Sequence, residues 1–374
     1  MSSHRAEVIV DLGAIDSNIK KVIQDSGKRV LAVVKADAYG HGLVPIAQQA
    51  LKSGASWLGT ALLEEALTLR QAGISAPIIA WLTPVTDDFE AALAHEIDLS
   101  IPSLEHLNAV VQSAEKLKKV PRVHFEVDTG MSRGGALSDW RALMHAAADL
   151  QSSKKIRIIG VWSHFARADE PGHSFNQVQL NNFEKRISEA EGYGIRPEII
   201  HMSNSAASLA HSSAHFDLLR LGIAMYGLSP DVSQMGSSVA LGLKPAMQIR
   251  SRIHLVKEVP AGSQVGYGGT AITSRDTKLA VIPMGYADGI PRNTDSRAGV
   301  LIGNKRAPLI GRVSMDQFVV DVGRDSTAQA GDWAYIIGNE NDGGYTADAW
   351  ADASGTINYE IVTRIARRVP RMYI

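Results

Sequence analysis

The stretch Val30–Gly42 reads VLAVVKADAYGHG. Apolar side chains occupy both parities of Val30–Val34, the pattern of a strand buried on both faces in a parallel sheet. Lys35 stands at the C-terminal tip of that strand, and Tyr39 follows four residues on. Barrel enzymes place their chemistry at such strand tips. A lysine desolvated there loses part of its preference for the charged form and becomes a usable amine nucleophile or base. A strand-end lysine can equally reach out to solvent, so the rest of the chain has to decide.

Working outward, apolar runs alternate with helical patterns. Trp57–Leu62 leads into Glu64–Ala72, Pro77–Leu82 into Asp87–Ala94, and Leu99–Ile101 into Leu104–Leu117. Arg122–Asp128 precedes Asp139–Leu150, Ile158–His164 precedes Asn176–Gly192, and Ile199–Met202 precedes Ser205–His211. Leu218–Leu221 closes the series. The spacing predicts about eight strand–helix units over residues 11–230, an α/β fold built as a (β/α)8 TIM-type barrel. The segment DVSQMGSSVA after Pro230 reads as a linker.

Residues 240–374 read as a mostly β domain. Strands are expected at Met247–Val256, Leu279–Met284, Val300–Ile302, Pro308–Val313, Phe318–Val322 and Trp333–Gly338, with a hairpin turn at Gly303-Asn304. A helical stretch is expected over Ala347–Arg367, and the strand-like residues 5–10 are expected to join this domain.

A chain of 374 residues suits two domains. A net charge of -1 argues against nucleic acid or an anionic membrane as partner. The chain has no cysteine, which excludes a disulfide framework, a thiolate metal site and a cysteine nucleophile. The N-terminus lacks the apolar core of a signal peptide, and no segment approaches a transmembrane span. A cytoplasmic setting is expected.

Two loops add to Lys35 and Tyr39. After the seventh barrel strand, Asn204-Ser205 can cap the helix SAASLA. After the eighth come Arg220, Leu221, Gly222 and Ile223. Barrels often bind phosphate with these two loops, and the Ser205 hydroxyl and the backbone near Gly222 and Ile223 are placed for it. A lysine amine opposite a phosphate cradle suggests pyridoxal 5'-phosphate held as a Schiff base.

The chain resembles the alanine racemase family of barrel-type pyridoxal-phosphate enzymes. AVVKADAYGHG, VDTGMSRGG, SNSAA, DLLRLGIAMYGL, VGYGGT, PMGYADG, GRVSMDQ and INYEIVTRI carry the likeness, in consistent order from Ala32 to Ile365. The resemblance implies interconversion of L- and D-alanine by two-base α-proton transfer on a pyridoxal-phosphate aldimine, in a homodimer with shared sites, supplying D-alanine for peptidoglycan. Lys35 is then the cofactor lysine and one base, and Tyr267 from the partner subunit is the other. Arg220 faces the pyridine nitrogen, and His164 supports it. Tyr39, Asn204, Ser205, Gly222 and Ile223 hold the phosphate end. Arg133 contacts the cofactor phenolic oxygen or the substrate carboxylate, and the backbone N–H of Met315 meets the substrate carboxylate from a loop of the partner subunit that also holds Asp316. Tyr286 lines the way in, and Tyr359 is read as structural.

Two departures from the family pattern stand out. Many members carry a carbamylated lysine seven residues before the arginine of GMSRGG; here the position is Glu126. Val123, Phe125 and Val127 share one parity of the strand, while His124, Glu126 and Asp128 share the other. The Glu126 carboxylate is therefore expected to replace the carbamate and hold Arg133 by a charge-assisted bond. Arg367 stands where some members place a tyrosine lining the site.

A racemase for serine or a broader set of amino acids is the main alternative, since one hydroxyl changes discrimination modestly. Ornithine and diaminopimelate decarboxylases share the architecture but use a partner cysteine, which this chain lacks. A non-catalytic pyridoxal-phosphate protein consisting of the barrel alone would not need the second domain.

Overall fold

The computed structural model describes residues 4–374. Contacts divide the chain into two compact units. One holds Ile15–Ala38 and Leu43–Leu243; the other holds residues 4–14, Tyr39–Gly42 and Lys244–Ile374. Strand β1 (Ala6–Val10) lies in the second unit.

The first unit is built on eight parallel strands. They are β2 (Arg29–Val33), β3 (Trp57–Thr60), β4 (Ile78–Ala80), β5 (Asp98–Ile101), β6 (Arg122–Glu126), β7 (Arg157–Trp162), β8 (Ile199–His201) and β9 (Leu218–Leu221). They run in sequence order from β2 to β8, with β9 against β2. The ring closes between β8 and β9, where Asp217 N donates to Ile200 O and Arg220 N to Ser203 O, both at 3.0 Å. The expected (β/α)8 barrel is the observed one. Its helices are set by local signals: Ser103 accepts from His106 N to open Leu104–Leu117, and Asn204 accepts from Ala207 N to open Ser205–Ala210.

Parity decides what the barrel encloses. Leu99, Ile101, Val123 and Phe125 are buried apolar residues, while Asp98, Ser100, His124 and Glu126 on the other parity are buried and polar. The polar set meets across the interior: Trp162 Nε1 donates to Ser100 Oγ at 3.0 Å, and His124 approaches both Asp98 and His201. Buried polar groups persist only when paired, so this interior is specified rather than merely filled.

The second unit is mostly strand. A six-stranded sheet runs β16-β15-β18-β10-β1-β19, from β10 (Met247–Arg252), β15 (Gly299–Ile302), β16 (Lys305–Pro308), β18 (Trp333–Ile337) and β19 (Arg371–Tyr373) with β1. A three-stranded sheet runs β11 (Leu255–Val259), β14 (Thr277–Ile282), β17 (Phe318–Asp321). A short hairpin joins β12 (Gln264–Val265) and β13 (Ala271–Ile272).

Four expectations change here. The single strand Met247–Val256 is two, because Ile253 N bonds Asp332 O while His254 N bonds Val281 O, which hands the chain from one sheet to the other. The turn at Gly303-Asn304 sets Lys305 opposite Ile302, so β16 ends at Pro308 where a strand was expected to begin. The helix over Ala347–Arg367 breaks into Ala347–Ser354 and Asn358–Thr363, since Gly355 turns left-handed at φ 64. The expected linker also carries one helical turn, Val232–Met235, capped by Asp231. Among the described residues no helix is long and apolar enough to cross a membrane.

Candidate active site

Lys35 follows β2 by two residues and opens an unusual turn. Ala36, Asp37, Ala38 and Tyr39 all have φ of 53 to 54, in the left-handed region. That conformation costs about 1–2 kcal/mol per non-glycine residue, so the surroundings must hold it. Glu65 supplies much of the grip. Its Oε1 accepts from Ala36 N at 2.6 Å and its Oε2 from Ala61 N and Leu62 N, both at 3.1 Å. Asp37 Oδ1 accepts from Leu43 N at 2.8 Å. Glycine is required at Gly40, where a Cβ would stand 2.2 Å from Val362 O. Burial and then Arg133 push the Lys35 amine below its ordinary pKa, with Glu65 pulling it back.

Arg220 is 4% exposed and pinned at both terminal nitrogens. Nη1 donates to His201 Nδ1 at 3.1 Å. Nη2 donates to Ser163 O at 2.7 Å, Met202 O at 2.9 Å and His164 Nδ1 at 3.2 Å. Its guanidinium lies 4.8 Å from the Trp162 ring centre. Burial pushes Arg220 down to about 9, with Glu126 opposing and Arg133 adding, so it stays charged at neutral pH. His164 is held well below its ordinary value by burial, Arg220, Arg133 and Lys35. It is therefore neutral, and since Nδ1 accepts from Arg220, its proton sits on Nε2.

The loop Asp128–Gly135 folds back over β6. Asp128 Oδ1 accepts from Gly130, Met131 and Ser132 N at 2.8, 2.9 and 3.2 Å. A Cβ on Gly134 would stand 3.0 Å from Glu126 Oε1, which is how closely the loop covers that carboxyl. Glu126, Arg133, Ser163 and His164 line one small cavity. Burial pushes Glu126 up to about 7, against Arg220 and Arg133. Arg133 is thus an electrostatic neighbour of Glu126, and the expected direct hydrogen bond is not the contact the structure makes.

Ser205 and Gly222 form a clip. Ser205 Oγ accepts from Gly222 N at 2.9 Å and Ala224 N at 3.3 Å. The Gly222 N–H is therefore turned into the protein, and the Ile223 N–H takes no part in the clip. Asn204 acts as a helix cap through its side chain. Tyr39 is buried, which pushes its phenol up, and its ring lies 6.2 Å from that of Tyr359.

The second unit presents its own set. Tyr267 is 72% exposed on a turn whose Gly266, Gly268 and Gly269 all have positive φ. The loops of Tyr286 and Met315 are laced together, with Tyr286 N donating to Ser314 O at 3.0 Å and Ala287 N to Met315 O at 2.9 Å. Gly285 permits this, since a Cβ there would meet Ser314 O at 2.2 Å. Met315 is 54% exposed. Asp316 pairs with Arg368 at 2.7 Å, and Arg368 also holds buried Asp288 at 2.6 Å. Arg367 is exposed and Arg368 makes the ion pairs, a choice between adjacent arginines that the sequence does not announce.

Sequence reading gave no role to Glu65, His201 and Asp98, and placed His124 only on the polar parity of its strand. Only Glu65 had a local cue, the third position of the helix Leu63–Gln71.

An amine just past a strand tip of a closed parallel barrel, a neutral histidine that feels its charge, an arginine bonded to that histidine and a mostly β second unit make the architecture of a two-domain barrel enzyme. The alanine racemase N-terminal domain family matches residues 10–230, and the alanine racemase C-terminal domain family matches residues 246–373. The alanine racemase of Salinispora arenicola is 48% identical over 371 residues, 99% of this chain and 98% of that one. The crystal structure of alanine racemase from D-cycloserine producing Streptomyces lavendulae superposes with a TM-score of 0.98 at 44% identity, covering 100% of this chain and 98% of that chain. That of Bacillus anthracis with bound L-Ala-P gives 0.89 at 34%, covering 100% and 96%. The chain belongs to the alanine racemase family and is an amino-acid racemase, an isomerase.

Proposed function

We propose that this racemase interconverts L- and D-alanine with pyridoxal 5'-phosphate as cofactor, and that its D-alanine goes to peptidoglycan. The observation that carries the reading is one barrel that holds both a desolvated amine at a strand tip and a buried, four-times-anchored Arg220, with neutral His164 bonded to Arg220 and within the field of both. These residues fit the cofactor: Lys35 for its carbonyl carbon, Arg220 for its pyridine nitrogen, and Tyr39, Asn204, Ser205 and Ile223 for its phosphate end, with Gly222 held beside them by Ser205. When bound, the cofactor supplies a conjugated ring that spreads negative charge developing at the substrate α-carbon.

The protein's own groups do the rest. The Lys35 amine takes or returns the α-proton on one face; its lowered pKa keeps more of it in the basic form. Tyr267 of the partner subunit serves the opposite face, in keeping with a tyrosine left 72% exposed on glycine-rich backbone. Arg220 cannot usefully give up its proton, so it keeps the pyridine nitrogen unprotonated. Arg133 and the Met315 backbone of the partner subunit orient the substrate carboxylate, with Asp316 steadying that Met315 loop through Arg368 and Tyr286 of the same unit flanking the approach. Glu126 is the acidic counterweight between Arg133 and Arg220. The active form in this reading is a homodimer acting in the cytoplasm.

Chiral chromatography of L-alanine and L-serine incubated with the loaded protein tests the reading, with Lys35→Ala as control. D-alanine forming far faster than D-serine, and only with Lys35 present, is the expected result. Dominant D-serine would replace the substrate assignment. No D-isomer of either would overturn the activity.

A further inference from the structure

Behind Arg220, away from Lys35, a line of buried polar side chains crosses the barrel interior. His201 Nδ1 meets Arg220 Nη1 at 3.1 Å. His201 Nε2 meets His124 Nδ1 at 3.2 Å. His124 Nε2 meets Asp98 Oδ2 at 3.3 Å. Asp98 in turn is gripped by Arg122, Nε to Oδ1 at 2.7 Å and Nη2 to Oδ2 at 3.0 Å. Asp98, His124 and His201 are each no more than 1% exposed. Arg122 opens its strand, so the line runs from the N-terminal rim of the barrel towards the end where Lys35 stands.

The chemistry of the two ends leaves one arrangement of protons. A guanidinium only donates, so His201 Nδ1 must accept and carry no proton. Its single proton is then on Nε2 and points at His124 Nδ1, which must accept. The His124 proton is therefore on Nε2 and is given to Asp98, a carboxylate that only accepts. Each bond runs the same way, from Arg220 toward Asp98. Indoles wall the line: the Trp162 ring stacks on His201 at 5.8 Å, and the Trp57 ring meets His124 edge-on at 5.3 Å. Room for it is built in, since a Cβ on Gly160 would stand 2.2 Å from His124 Nδ1.

We propose that Arg122, Asp98, His124 and His201 form a one-way hydrogen-bond chain that fixes the orientation and charge of Arg220 from the far end of the barrel. These are positioning residues: they act on the reaction only through Arg220. The consequence for catalysis rests on the reading that Arg220 faces the cofactor nitrogen; the chain itself does not. Asp98→Asn breaks the order. With its amide NH2 toward His124, the variant forces both histidines to the other tautomer and sets a His201 N–H against an Arg220 N–H. With its NH2 toward the Arg122 Nε it meets a donor there instead.

The test is 15N NMR of the histidine side chains in cofactor-free protein, beside the absorption spectrum and kinetics of the loaded enzyme. The wild type is expected to show His124 and His201 both neutral with the proton on Nε2. Asp98→Asn is expected to move at least one of them to the Nδ1–H form, to shift the cofactor absorption band, and to lower kcat roughly ten-fold with little change in KM. Arg122→Gln, which keeps the carboxylate, should give a smaller change in the same direction. An Nδ1–H form of either histidine in the wild type overturns the chain. The wild-type spectrum decides this even where the variant fails to fold. Arg220→Lys separates the two readings: if it leaves the absorption band unmoved, the placement of Arg220 at the cofactor fails, while the NMR result still decides the chain.

Discussion

The hydroxyl of Ser205 accepts the backbone N–H of Gly222 at 2.9 Å. This bond ties the loop after β8 to the loop after β9, the two loops a barrel uses for phosphate. Ser205→Ala leaves both backbones unclipped. Its expected effect is a loss of cofactor affinity of roughly ten-fold with the melting temperature of the cofactor-free protein little changed. Equilibrium dialysis of pyridoxal phosphate measures it; equal affinity in variant and wild type would remove Ser205 from the phosphate end.

Glu126 gives a pH prediction of definite sign. Its pKa is 4.5 ordinarily and about 7 in the fold, raised first by burial. Below pH 4.5 the carboxyl is protonated in both states and burial carries no charge penalty. Between 4.5 and 7 the unfolded chain releases the proton that the folded chain keeps, so this group's contribution to stability falls as pH rises. The loss reaches at most about 3 kcal/mol above pH 7. Glu126→Gln removes it. The difference in melting temperature between variant and wild type should therefore grow in the variant's favour from pH 4.5 to 8. Parallel curves would mean that the carboxyl is not buried in this way.

Tyr267 and Lys35 lie on different subunits of one site in the proposed dimer. Lys35→Ala and Tyr267→Ala homodimers should both be inactive. A mixed dimer of the two variants retains one intact site of two. Unfolding and refolding an equal mixture should restore about a quarter of wild-type activity, the statistical share of intact sites. Activity that stays at the level of the separate variants would place both residues in one chain's site.

In the proposed function, Arg220 sets the partition of the reaction. Replacing the guanidinium by a carboxylate lets the pyridine nitrogen keep a proton and draws more charge into the ring. Arg220→Glu should lower racemisation and raise pyruvate formation from alanine by side transamination. The measurement is a coupled pyruvate assay; no rise would count against the role assigned to Arg220.

Much of the fold, and the residues nominated for the proposed site, were legible because their signals are local. The run Val30–Val34, the parity of Val123–Asp128 and the order of the glycine-rich motifs need only neighbouring residues to be read. The left-handed turn after Lys35 was not legible. Nothing in ADAY favours φ near 53, and Glu65, 29 residues from Ala36, holds it there. The split of Met247–Val256 was hidden for a similar reason: both halves have strand character, and only their hydrogen-bond partners, Asp332 and Val281, reveal two sheets. Glu126 was found on the right face of its strand, but its burial and its distance from a direct bond to Arg133 depend on the loop that covers it.

The amino-acid sequence alone determined the eightfold strand–helix rhythm and the β-rich second unit, since periodicity is a property of adjacent residues, and its resemblance to a family nominated Lys35, Arg133, Arg220 and Tyr267 for the proposed site. Tertiary structure alone decided which buried polar groups meet. His124 and His201 are 77 positions apart and His124 and Asp98 are 26 apart. Only closure of the barrel brings them into one line, because a desolvated donor is stable where an acceptor already stands.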